Sequence, residues 1–260
     1  MAAAPLPPAS SAPTPDATPA PMSEGARIVD TFIAPSKAFT DLGAHAKWWS
    51  WIVPFVIVSA VSILFAYAVG AKVTFARAAD NVLQTRPKQY DRIQAMKPDD
   101  RDKAMQAAEK QTMIGAYSAP VTVIILWLIV SAALFATFTF VANVKVSFKL
   151  VLAIVAYAGL PGAVRYLLAT VTLFAGISPD TFNMQNPIAT NLAVLFNAND
   201  NPVLYTAGSF IDIFAIWTLV LTAIGFTCVS KAKMGTALAI VFGWYLAFMG
   251  LIVGVVAMFS

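Results

Sequence analysis

Two charged residues stand where charge is costly. Arg165 interrupts an otherwise uncharged stretch between Lys149 and Asp180, and Asp212 interrupts another between Asp200 and Lys231. An ionisable group inside an apolar run of that length is by default a functional hypothesis, because insertion at the bilayer centre costs about 2.5–3.5 kcal/mol. Two chemistries fit. Arg165 and Asp212 can neutralise each other as a structural pair, or they can line a path for an ion or solute. The spacing favours the pair, since both sit toward the outer ends of their segments and long side chains adjust their depth. Pro161, flanked by Gly159 and Gly162, is a candidate kink in the same segment as Arg165.

Little else in the chain can do chemistry. His45 is the one histidine and Cys228 the one cysteine, which excludes an internal disulfide and a multi-cysteine metal site. No phosphate-binding glycine loop, metalloprotease motif or serine elbow occurs. Asp99, Asp100 and Asp102 suit a helix start, and Asn199, Asp200 and Asn201 suit a turn before Pro202. Neither group has the ligand spacing of a calcium loop. No catalytic residue, cofactor or metal is expected, and the basic residues of residues 72–110 are too diluted by acids for nucleic acid.

The elements that would position Arg165 and Asp212 follow from hydropathy. The chain is 59% hydrophobic and 12% charged, more apolar surface than one soluble core can bury. Uncharged runs centred near Ala60, Ile129, Pro161, Thr218 and Gly243 predict five membrane-spanning helices. They must be helical, because lipid offers no partner to a free backbone N–H or carbonyl. The expected class is all-α, a polytopic membrane protein in contact with the lipid bilayer.

Flanking segments divide the chain further. Residues 1–24, rich in Ala and Pro, read as a disordered tail. Residues 25–46 read as a cytoplasmic interfacial segment, with Ile28, Val29, Phe32 and Ile33 as its apolar stripe and Phe39 and Leu42 continuing it after Pro35. Residues 47–260 form the membrane domain, opened by Trp48, Trp49 and Trp51 as an interfacial anchor. Residues 72–110, with nine basic and six acidic residues, read as an outer loop of two amphipathic helices. Residues Pro187 to Phe196 are too short to cross and are expected at the interface or plugging the bundle.

Seven basic residues (Arg27, Lys37, Lys47, Lys145, Lys149, Lys231 and Lys233) fall on one side in this scheme, while Gly176–Ser209 has none. This places the N-terminus in the cytoplasm and the C-terminus outside. Gly250 and Gly254 form a GxxxG, for which packing within the bundle is preferred to dimerisation, with self-association the alternative.

The stretch TFIAPSKAFTDL, Thr31 to Leu42, resembles the Phe-x-x-Pro-x-x-x-Phe entry of bacterial members of the Yip-one (Ypt-interacting protein) family. WWSWIVPF is similar to that family's Trp-rich approach to a Pro-containing first span. GSFIDIFAIWTLVLTAIGFTCVSKAKMGTALAIVFGWYL matches its order of aspartate, Phe-x-x-Trp, Gly, short basic turn and Trp in the last helix. The resemblance covers Ile28 to the C-terminus and implies five spans, a cytoplasmic N-terminus and no catalytic residues. It also implies kinship with eukaryotic members that bind prenylated Rab-type GTPases and act in membrane traffic and shaping. A charged loop of bacterial type and the lack of glycosylation sequons point to a bacterial inner membrane. The expected role is a non-enzymatic scaffold or trafficking-like protein, with a small transporter or an accessory subunit of a membrane complex as alternatives. The protein partner is left unnamed.

Overall fold

The computed structural model describes residues 20–230 and 232–259. Residues 1–19 of the expected tail lie outside the described residues, as does Lys231 of the last basic turn. The structure is 77% helical, with no strand among the described residues, so the all-α class holds. The helices are α1 (Glu24–Ile33), α2 (Pro35–His45), α3 (Ile52–Lys72), α4 (Phe75–Gln84), α5 (Pro87–Gln94), α6 (Pro98–Tyr117), α7 (Ala119–Ala136), α8 (Phe148–Ala158), α9 (Leu160–Phe174), α10 (Pro202–Phe210), α11 (Ile213–Val229) and α12 (Met234–Phe259).

Four helical stretches are long and apolar enough to cross a membrane: Ile52–Lys72, Ala119–Val141, Phe148–Phe174 and Met234–Met258. The fifth crossing is α11, which is apolar but has 17 residues. It rises roughly 25 Å, against a hydrocarbon thickness of about 30 Å. It is short because Asp212 ends the apolar run by capping the helix, so α10 becomes a separate piece. Ring contacts give the directions. α3 and α9 run parallel, with Phe65 against Tyr166 and Lys72 Nζ over the Phe174 ring. α7 runs against α8, pairing Phe135 with Phe148 and Trp127 with Gly159.

The centre of the molecule is α8. Every residue from Val151 to Ala158 is buried. One core joins Ile154 and Tyr157 of α8 to Phe39 and Leu42 of α2, Leu134 of α7, Leu221 and Phe226 of α11, and Val241 of α12. Phe138 stacks on Phe226 at 3.7 Å between ring centroids. A second core joins α3, α4 and α9 around Phe65, Val69, Leu173 and Phe182.

Residues 25–46 differ from the flat interfacial segment the sequence suggests. Pro35 cannot donate a backbone hydrogen bond, and the chain turns back at Ala34. α1 and α2 form an antiparallel hairpin standing beside α11. Phe39 faces Gly225, Gly43 faces Val229, and Phe32 meets Trp217 edge-on at 5.5 Å. From Val229 to Trp217 the hairpin follows α11 for roughly 18 Å. The reason is packing: Phe39 and Leu42 are fully buried, and α11 offers Gly225 as the place where an aromatic ring can approach.

The charged loop contains three helices where the periodicity suggests two. Pro98 starts α6 with Asp99 and Asp100 in its first turn, as carboxylates at a helix N-terminus should be. α4 is fastened to the second outer loop. The Asn81 amide donates to the carbonyls of Pro179 and Phe182, each at 2.8 Å, and Arg77 pairs with Asp180 at 3.0 Å. Within residues 187–196, Leu192–Leu195 form a short helical turn, and Ala193 packs on α10 at Gly208.

The GxxxG is not used inside the described bundle. α12 turns Ala237 and Val241 inward, and Gly250 lies about half a turn away from them. A Cβ added at Gly250 or Gly254 would have no neighbour within 4 Å, whereas one at Gly225 would lie 2.5 Å from Ile154 Cγ2. Gly225→Ala should therefore destabilise the protein by about 1–3 kcal/mol, seen as a lower melting temperature in detergent, while Gly250→Ala leaves it unchanged.

Candidate functional site

The structure brings Arg165 and Asp212 together. Arg165 Nε lies 3.8 Å from Asp212 Oδ2, close enough for charge attraction and too far for a hydrogen bond. Arg165 Nε is buried and has no hydrogen-bond partner. Asp212 is fully engaged. Its Oδ1 accepts from the N–H groups of Phe214 at 2.9 Å and Ala215 at 3.2 Å, the geometry of a helix N-cap. Its Oδ2 accepts from the Thr190 hydroxyl at 2.7 Å. Around it, Leu192 N–H donates to the Ile211 carbonyl and Ile213 N–H to the Thr190 carbonyl, so residues 190–192 are stitched to 211–213.

The surrounding polar groups are also partnered. The amides of Asn183 and Asn186 donate to Tyr205 Oη, Asn191 donates to the Asn186 side-chain oxygen, and Tyr245 Oη donates to the Phe210 carbonyl. The centre is thus a junction of α9, α10, α11, α12 and the 187–196 segment. What it does chemically is hold one carboxylate charge against one guanidinium. Among the described residues, no group of three or more His, Cys, Asp or Glu could hold a metal ion.

Pro161 sits at the start of α9, and the break itself falls at Gly159, two residues earlier. The Pro161 ring excludes the carbonyl four residues before it and offers no N–H, so α8 ends at Ala158. Gly162 N–H donates to the Gly159 carbonyl, and Gly159 lies against the Trp127 ring. Trp48 and Trp49 are exposed in the turn before α3, and Trp51 packs edge-on against Phe55. None of them approaches Arg165.

A second charged centre was not legible as a site in the sequence. Arg27 on α1 is 4% exposed. Its Nε and Nη2 both donate to Asp41 Oδ2, at 2.9 and 2.7 Å, and its Nη1 donates to Glu24 at 2.6 Å and to Tyr157 Oη at 3.3 Å. Tyr157 Oη donates to the other oxygen of Glu24. Asp41 Oδ1 accepts from Met22 N–H and from His45 Nδ1, each at 2.9 Å. Residues 20–24, within the stretch read as a tail, are therefore structured at their end: Ser23 caps α1 and Met22 is tied to α2. Lys37 pairs with Asp30 across the hairpin at 2.8 Å. The one sequence signal was Tyr157, a hydroxyl inside the run FKLVLAIVAYA that must find a partner when buried.

Burial alone would raise the Asp41 pKa, but hydrogen bonds from Met22, Arg27 and His45 hold it below its ordinary 3.8. Burial likewise opposes the charge on Arg27, and its contacts with Tyr157 and Asp41 keep it protonated more firmly than usual. The centre works as a latch: a paired, hydrogen-bonded charge set that fastens the α1–α2 hairpin to α8.

Comparison with known proteins gives one match. The family model of the Yip1 domain matches residues 29–257. No curated protein and no solved structure matches the chain.

The latch and the junction differ in what each substitution removes. Arg27→Ala leaves a buried carboxylate unpaired and should cost about 3–5 kcal/mol, read as faster hydrogen exchange throughout α1 and α2. Asp41 carries a depressed folded pKa, so its contribution is complete above the ordinary carboxylate value and lost as pH falls through the folded one. Hydrogen exchange in α1 should accordingly rise below about pH 4, and Asp41→Asn should flatten that rise. At the junction, Asp212→Ala should lower the melting temperature more than Arg165→Ala, because it removes the α11 cap as well as the pair. The double swap Arg165→Asp with Asp212→Arg should fail to restore stability for the same reason.

Proposed function

Because the chain belongs to the Yip1 domain family, we propose that it is a non-enzymatic membrane scaffold, organising lipid or protein neighbours around a five-crossing bundle. It would reside in a bacterial cytoplasmic membrane with its N-terminus on the cytoplasmic face. The observation that carries this reading is the state of the two charges inside the spans. Asp212 is spent on capping α11, on Thr190 and on Arg165. A carboxylate that must release an ion or proton in turnover cannot also be the cap on which a spanning helix depends.

The outer surface supports the same reading. α7 exposes Val121, Ile125, Ile129 and Val130, and α12 exposes Trp244, Phe248, Leu251 and Val255. These faces meet lipid or another membrane segment, which is where a scaffold acts. The cytoplasmic orientation is supported by Lys47, Lys145, Lys149 and Lys233, which gather at one end of the alternating helices. A transporter is the second reading, favoured by the unpartnered Arg165 Nε and the broken helix at Gly159.

Reconstitution separates the two. The full chain in proteoliposomes is expected to pass ions and small solutes no faster than empty vesicles. Photocrosslinking from Leu251 in native membranes is expected to yield a discrete protein adduct. A flux that disappears in a folded Arg165→Ala variant would replace the scaffold with a transporter.

A further inference from the structure

The end of α7 is irregular in a way the bundle does not explain. Residues Thr137–Val141 form a π-helical turn, with Ala142 N–H donating to the Thr137 carbonyl at 3.0 Å. Asn143 then adopts a left-handed backbone with φ of 52° and turns the chain toward α8. The widened turn leaves Thr139 Oγ1 buried without a hydrogen-bond partner. Thr139 forms part of the wall of an open cavity of about 490 Å³, with Asn143, Lys145 and Ser147 as its other polar lining.

The electrostatics of this cavity are one-sided. Ser147 is the N-cap residue of α8, yet its side chain caps nothing. The first turn of α8 contains no acid and carries Lys149, with Lys145 just before it. Among the described residues neither lysine has a carboxylate partner. Cations at a helix N-terminus oppose the helix dipole, a cost that a bound anion would reverse. The apolar rim adds the other half of a ligand. Phe140 and Val141 are 78% and 79% exposed beside the cavity, at the end of a spanning helix.

We propose that this cavity binds the phosphate of an anionic phospholipid headgroup. Lys145 and Lys149 supply the charge. The hydroxyls of Thr139 and Ser147 donate hydrogen bonds, and the acyl chains lie along Phe140 and Val141. A free phosphate would satisfy the polar groups and leave the exposed apolar rim unused, so the lipid is the occupant. The site goes beyond the scaffold reading and would serve a transporter equally.

The test uses the full chain purified in mild detergent and observed by native mass spectrometry with phosphatidylglycerol, phosphatidylcholine or inorganic phosphate added. Phosphatidylglycerol should bind in preference to phosphatidylcholine. Replacing both lysines, Lys145→Gln with Lys149→Gln, should weaken it roughly thirtyfold, and Thr139→Val should weaken it without changing the melting temperature. Lys103→Gln, an exposed lysine of α6, should bind as the parent does. Equal binding of phosphatidylglycerol by the parent and the double variant would overturn the site. Lysine-dependent binding of inorganic phosphate without phosphatidylglycerol binding would overturn the lipid assignment.

Discussion

Every polar group placed inside an apolar bundle must find its partner within the chain, because hydrocarbon supplies none. The structure is organised by that constraint. Asp212 satisfies it by capping α11, holding Thr190 and pairing with Arg165. Arg27 satisfies it with Asp41, Glu24 and Tyr157. In both cases the side chain that cannot be left alone decides which backbone segments lie together. The 187–196 segment comes to α11, and the α1–α2 hairpin comes to α8.

Close approach is the second theme, and it depends on the first. The latch draws α2 against α11, and Gly225 leaves the space for the Phe39 ring and Ile154 that this contact needs. α8 then becomes buried along Val151–Ala158, an enclosure that four long apolar helices alone would not produce. Away from this centre, α12 keeps only one face on the bundle and leaves its glycines outward. Stability is concentrated around α8, and the surface available for association lies on the periphery.

The candidate site was partly legible. Arg165 and Asp212 announced themselves by composition, since a charge in an apolar run is conspicuous, and the pairing followed from their comparable positions. The capping role of Asp212 was not legible, because IDIFAIW reads equally as the middle of one long span or as the start of a shorter helix. Arg27 was hidden for the opposite reason. It lies among ordinary loop-like residues, where a basic side chain is expected to face water. Only the return of α2 at Ala34 and the arrival of α8 remove that water.

By itself, the sequence determined the all-α class, the apolar crossings and the likeness to one membrane family, because length and hydropathy act locally and add along the chain. Tertiary structure alone decided that residues 25–46 stand beside α11, that the fourth crossing begins at Ile213, and that the glycines of α12 face outward. Those outcomes turn on which partner a buried charge or a glycine meets. Partners far apart in sequence, such as Arg27 and Tyr157 or Phe39 and Gly225, are chosen by packing in three dimensions and leave no periodic mark on the chain.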